Sequence, residues 1–189
     1  MYKALVIGTS FGGLEALKAI IPTFPKDFPL VVAVVLHIGQ NPNDSFIHFL
    51  NDISQMKVKE AEEKEKLRPG TVYFAPPNYH LSIEDDETFS LSTDPKIHHS
   101  RPSIDVLFET AAWTYKQNLI GVILSGLNQD GAYGLLQINE MGGICMIEDP
   151  QNAQARIMPS AAYKIAKPQF ILPLDQIAEK IIEIVKSRS

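Results

Sequence analysis

Three apolar runs limit what this chain can fold into: "ALVI" at 4–7, "LVVAVVLH" at 30–37 and "LIGVILSG" at 119–126. None alternates between apolar and polar residues. A strand with one wet face alternates, so these runs need cover on both faces, as in a parallel sheet between helices. "GICMI" at 143–147 is a plausible fourth strand and "PQFILP" at 168–173 a short fifth.

Helical patterns lie between the runs. Leu14, Leu17, Ile20 and Ile21 share one helix face, which ends before Pro22. "SFIHFLNDI" at 45–53 is amphipathic, with Asp44 or Ser45 as candidate N-cap. "SIDVLFETAAWTY" at 103–115 places Ile104, Leu107, Phe108, Ala111 and Ala112 on one face. "AYGLLQINEMG" at 132–142 ends at a glycine pair, and "LDQIAEKIIEIVKS" turns Ile177, Ile181, Ile184 and Val185 inward. Strands alternating with helices predict an α/β fold, doubly wound, with a mostly parallel sheet and helices on both faces. "GTVYFAPPNYHLSIEDDETFSLS" at 70–92 reads instead as three short strands, an antiparallel hairpin insertion near one sheet edge. "KEAEEKEKLRPG" at 59–70 reads as a solvated helix end or loop. The whole of 1–189 is expected to form a single catalytic domain, a size that suits one core.

The net charge is −5 and no basic tract is present, which argues against nucleic acid as partner. No run reaches the roughly 18 apolar residues of a membrane span, so no membrane insertion is expected. "MYKALVIGTS" has no signal-peptide pattern, and the one cysteine, Cys145, permits no internal disulfide; both fit a cytoplasmic protein. Cys145 sits in an apolar strand and reads as a buried, inert thiol. His98 and His99 are adjacent and point apart on most backbones, with no Cys or Asp pattern nearby, so no metal is expected. No cofactor is expected either. A dinucleotide loop needs G-x-G-x-x-G and an acidic residue closing the next strand. Here Ser10 replaces the second glycine and His37 closes that strand.

Gly8-Thr9-Ser10-Phe11-Gly12 fits G-x-S-x-G, the strand-turn-helix elbow that raises a nucleophilic serine above a sheet. A serine in a turn or at a helix N-cap is the plainer alternative. His37 ends the second run, and consecutive parallel strands tend to be neighbours about 4.8 Å apart, so Ser10 and His37 can meet. Asp130, just beyond "LIGVIL", has two roles open to it: the carboxylate that orients His37, or the N-cap of the helix after Gly131. The amide of Phe11, the residue after the nucleophile, is a candidate oxyanion donor.

Six segments in order carry a family resemblance. They are "VIGTSFGGLEAL", "VVLHIGQN", "RPGTVYFAPPNYHLSI", "HHSRPSIDVLFETAA", "LSGLNQDGAYGL" and "DPQNAQARIMPSAA". Together they make the chain resemble the catalytic domain of chemotaxis-type protein-glutamate methylesterases, the CheB family. The resemblance implies Ser10 as nucleophile, His37 as base, Asp130 as the residue that orients it, and a backbone oxyanion donor near Leu127. It implies hydrolysis of γ-glutamyl methyl esters on the signalling helices of methylated chemoreceptors, releasing methanol, with deamidation of receptor glutamines as the same acyl chemistry. Arg101, in the R-P-S-x-D segment, would either pair with a receptor carboxylate or form a structural salt bridge. Two positions depart from the family pattern: Phe11, where a small residue or threonine is usual, and Ile147-Glu148, where an alanine-glutamine pair is common. Family members often carry an N-terminal receiver domain, so a chain starting on its first catalytic strand is expected to rely on a separate regulatory protein or on none. The rival expectations are a dormant signalling adaptor of the same fold and an esterase or amidase for small molecules.

Overall fold

A computed structural model describes residues 1–37 and 43–188. The elements run β1 (Ala4–Thr9), α1 (Gly13–Ile20), β2 (Val31–Leu36), α2 (Asn43–Ile53), β3 (Lys57–Glu60), β4 (Thr71–Phe74), β5 (His80–Ile83), β6 (Phe89–Ser92), α3 (Ile104–Tyr115), β7 (Leu119–Ile123), α4 (Ala132–Glu140), β8 (Ile144–Glu148), α5 (Ile157–Ala166), β9 (Phe170–Leu172) and α6 (Leu174–Ser187). Seven strands form one sheet in the order β3-β4-β2-β1-β7-β8-β9, with every neighbouring pair parallel. β5 and β6 pair antiparallel as a separate hairpin.

Successive residues of β1 serve opposite cores. Leu5 and Ile7 pack with α1, α2 and α6, while Ala4 and Val6 pack with α3, α4, α5 and the hairpin. This two-sided cover is why the central runs cannot alternate. β1 has β2 on one side and β7 on the other, so the chain order reverses around it. In open parallel sheets such a switch point leaves a crevice outside the carboxyl ends of the strands.

Three expectations need correction, and one helix adds to those expected. The charged stretch from Lys59 is partly an edge strand: β3 pairs with β4, and its Lys57, Lys59 and Glu60 suit a strand whose outer edge meets solvent. β4, the first of the three strands expected in the insertion, joins the main sheet, and only β5 and β6 form the hairpin. The additional helix is α5, which carries Pro159 in its first turn, where the missing N–H has no partner to lose. Asp44 and Ser45 cannot be the N-cap of α2, since that helix begins at Asn43; the preceding loop falls outside the described residues.

Close packing at the carboxyl end of β1 depends on glycine. A Cβ on Gly8 would run into Cγ2 of Ile104, the first residue of α3. The start of α3 therefore sits directly over the end of β1. Gly8→Ala is expected to lower stability by about 1–3 kcal/mol through overpacking. In an Ile104→Ala background, urea unfolding should give a smaller added loss. An equal loss in both backgrounds would mean that this approach is not the constraint.

Candidate active site

β1 ends at Thr9 and α1 begins at Gly13, so three residues make the whole turn. Gly12 takes φ 84°, a left-handed conformation that glycine adopts without a Cβ penalty. The Ser10 N–H donates to the Ser125 carbonyl (3.0 Å) and the Gly13 N–H donates to the Ser10 carbonyl (2.8 Å). Ser10 is thereby pinned on both sides. The parallel register pairs Thr9 with Leu36, and the His37 N–H donates to the Thr9 carbonyl (2.9 Å). Ser10 and His37 thus stand side by side, each one residue past its strand.

Asp130 follows β7 and is fully buried. It caps neither α4 nor any residue next to it in sequence. Its carboxylate accepts from Ser103 Oγ (2.8 Å), the Ile104 N–H (2.6 Å) and the Asp105 N–H (3.1 Å), all at the N-terminus of α3. Its Oδ2 also lies 3.1 Å from His37 Nε2, at ion-pair distance, with the ring N–H turned off the line of a full hydrogen bond. Burial raises the Asp130 pKa, but His37 and the Ile104 and Asp105 amides outweigh it and hold the carboxyl below its usual range. A carboxylate is thus kept ionised behind the histidine.

Two supporting residues gave no separate signal in the sequence. Asn128 Oδ1 accepts the Asp130 N–H (3.1 Å), and Asn128 Nδ2 lies 3.4 Å from His37 Nδ1. An Asn two residues before Asp in a turn is a recognisable side-chain-to-backbone pattern, but its reach to His37 depends on β7 lying two strands from β2. Ser125 holds the elbow: its carbonyl accepts from Ser10 N–H and Thr9 Oγ, and its hydroxyl donates to the Phe11 carbonyl (2.8 Å). The Ser125 N–H donates to buried Glu148 Oε2 (2.8 Å). Glu148 therefore braces the loop from inside; burial raises its pKa, against the opposing pull of the Ser125 amide.

Phe11 and Leu127 flank the rim, 53% and 56% exposed. Among the described residues neither backbone N–H is taken up by another group. Arg101 Nη1 donates to the Thr93 and Asp94 carbonyls, tying down its own loop. His80 Nδ1 accepts the Ser103 N–H (3.1 Å) and its Nε2 lies 3.1 Å from the Pro95 carbonyl. His98 Nε2 lies 3.6 Å from Asp105 Oδ2. No group of three potential metal ligands occurs among the described residues. Cys145 is buried and its thiol is pushed up to about 12, too high to act as a thiolate. No helix among the described residues is long and apolar enough to cross a membrane.

A serine on an elbow, an imidazole beside it, an ionised carboxylate behind the imidazole and two open amides form a set suited to acyl transfer. The sequence matches a family model described as CheB methylesterase over residues 5–181. It is 48% identical to a putative protein-glutamate methylesterase/protein-glutamine glutaminase of Leptospira interrogans, covering 97% of this chain and 95% of that one. It is 36% identical to a protein-glutamate methylesterase/protein-glutamine glutaminase of Clostridium acetobutylicum, covering 97% of this chain but only 53% of that protein. The crystal structure of the Thermotoga maritima CheB methylesterase catalytic domain superposes with a TM-score of 0.93 at 36% identity, over 97% of this chain and 99% of that one.

Asp105 is the second buried carboxylate beside the site. Its Oδ1 accepts the Gly134 N–H (2.7 Å). Burial, partly offset by that bond, and the neighbouring Asp130 and Glu109 carboxylates push it up to about 7. The folded state then keeps a proton that the unfolded chain releases near 3.9. Stability contributed by this group is therefore full below about pH 4 and is lost as pH rises to about 7. Asp105→Asn keeps an oxygen for Gly134 and removes the titration. The loss of stability between about pH 5 and 7.5 should shrink by roughly 2–3 kcal/mol in urea unfolding. An unchanged pH slope would refute the assignment.

Proposed function

The chain belongs to the CheB methylesterase family, and from that premise we propose that it is a serine hydrolase of chemoreceptors, removing methyl groups from glutamyl esters and deamidating glutamines. The observation that carries the proposal is the 3.1 Å contact between His37 and a buried, donor-stabilised Asp130, one strand away from a serine on a glycine elbow.

Ser10 is the nucleophile in this reading. Because Nε2 of His37 faces Asp130, the nitrogen left to take the Ser10 proton is Nδ1, next to Asn128. Asn128 Nδ2, 3.4 Å away, can only donate, so it favours the tautomer in which Nδ1 is the acceptor. Ser10 Oγ attacks the ester carbonyl as His37 takes its proton. The developing oxyanion meets the Phe11 and Leu127 amides. Asp130 stabilises the imidazolium and stays ionised, as its low pKa allows. The imidazolium protonates the departing methoxide, and methanol leaves. Water, deprotonated by His37, then attacks the acyl-enzyme, and the proton returns to Ser10. With a glutamine the leaving group is ammonia and the remaining steps are the same.

The proposal includes a cytoplasmic location. Arg101, occupied by its own loop's carbonyls through Nη1, would meet a receptor carboxylate only through its remaining donors.

Methanol release from methyl-labelled receptor membranes tests the proposal. Wild-type protein should release methanol. Ser10→Ala should lower the rate at least about a thousandfold with an unchanged circular dichroism spectrum. Residual activity near wild type would place the nucleophile elsewhere. Wild-type protein that hydrolyses a small ester but not the receptor would be a small-molecule esterase. Folded protein inactive on both would be an adaptor.

A further inference from the structure

The loop between β7 and α4, residues 124–131, is the catalytic loop of the proposed mechanism, and it is stitched to the start of α5. Gly126 and Arg156 form a parallel bridge. The Gly126 N–H donates to the Ala155 carbonyl and the Met158 N–H to the Gly126 carbonyl, both at 3.0 Å. Beside this stitch lies a groove of about 620 Å³, bounded by Gln129 of the catalytic loop, the Pro150–Gln151 turn and α5. Neither Ser10, His37 nor Asp130 lines it.

Two rows of α5 line the groove at i, i+4, i+8 spacing. One row is Arg156, Ser160 and Lys164; the other is Ile157, Ala161 and Ile165. Residues at this spacing stack along one helix face, with about 12 Å between the first and last. A cationic row thus runs beside an apolar one. Among the described residues neither Arg156 nor Lys164 has an ion-pair partner. Two unpaired cations at either end of one helix row stand out on a chain of net charge −5. A second cavity, about 420 Å³, continues past Ser160 and Lys164 to Tyr163 and Ile171, both exposed. The carboxylate lining it, Asp149, accepts the Gln151 N–H.

A protein substrate cannot end at its ester. Its chain has to leave the rim, and the groove adjoins the loop that carries Leu127. Both reactions named for the relatives also leave a glutamate on the substrate. We propose that the α5 groove is an exosite for the substrate polypeptide, taking an acidic amphipathic segment. Its carboxylates pair with Arg156 and Lys164, and its apolar side chains cover Ile157, Ala161 and Ile165. The proposal rests on the methylesterase reading. It adds that substrate choice is made partly outside the catalytic set, by charge and apolar contact on a helix that takes no part in the chemistry.

The test compares a methylated receptor fragment with a blocked glutamate γ-methyl ester, which is too small to span both sites. In the Arg156→Glu/Lys164→Glu double variant, kcat/KM for the receptor should fall at least about tenfold through KM, with the small ester within about twofold of wild type. Raising ionic strength from about 50 to about 500 mM should shrink the difference between wild type and variant on the receptor. Arg156→Lys should retain most of the receptor activity. Receptor kinetics unchanged by the double reversal would overturn the proposal. An equal loss on both substrates would also overturn it, since the charges would then act on the catalytic loop. Direct binding of the fragment to Ser10→Ala protein, with and without the charge reversals, separates this outcome from failure of the methylesterase reading. Binding weakened by the reversals supports the groove even if turnover fails, and binding indifferent to them refutes it.

Discussion

The site depends on one buried charge. Asp130 has no exposed surface, and taking a carboxylate out of water costs several kcal/mol. Ser103 Oγ and the Ile104 and Asp105 amides offset that cost. Hydrogen bonds to a charged group contribute roughly 1.5–3 kcal/mol each, so three of them are of the right size. The donors sit at the N-terminus of α3, where the helix dipole also favours negative charge. α3 can stand there because Gly8 lets Ile104 rest on the end of β1. One contact set therefore joins the elbow strand, the loop after β7 and the histidine strand. Loss of the α3 terminus would leave an unpaired charge in the core and an imidazole with nothing behind it.

Three buried carboxyl groups surround this point, and their surroundings separate them. Asp130 has three donors besides the imidazole and is held low. Asp105 and Glu148 each accept one backbone N–H from across the fold, and burial raises both. Two adjacent carboxylates at full charge would weaken the helix-end site that Asp130 occupies. A raised Asp105 lets Asp130 keep the charge while Asp105 still caps the first turn of α4 through Gly134. Glu148 does comparable work on the other side, where its bond to Ser125 fixes the carbonyl and hydroxyl that hold Ser10 and Phe11.

Local patterns in the sequence carried the scaffold. Doubly buried strands leave continuous apolar runs, and the chain positions just past β1, β2 and β7 follow from those runs. What local patterns could not carry was pairing across long separations. Local pattern left Asp130 open between orienting His37 and capping the helix beside it, and its donors lie 25–27 residues away at the start of α3. Ser103 and Asp105 belonged to a recognised segment without a visible task, because the task exists only once α3 crosses β1. Lys59 and Glu60 looked solvated because edge strands carry charge for a reason unrelated to helix or loop. α5 shows how the effect of a proline depends on position: Pro159 falls in the first turn, where it is tolerated.

The shape of the rim bears on what can react there. Ser10 stands at strand ends, flanked by the exposed side chains of Phe11 and Leu127, with Ile157 exposed at the start of α5. A small ester gains little from such a surface, since tight sites for small ligands enclose most of the ligand. Under the proposed reading, a polypeptide covers several of these side chains at once while presenting one ester to Ser10. In the proposed mechanism Phe11 contributes its amide, and its side chain is half exposed at the rim. The same elements serve both scales: glycines bring the backbone close enough to hold a reacting atom, and exposed apolar side chains around it form a surface that a protein, more than a metabolite, can use.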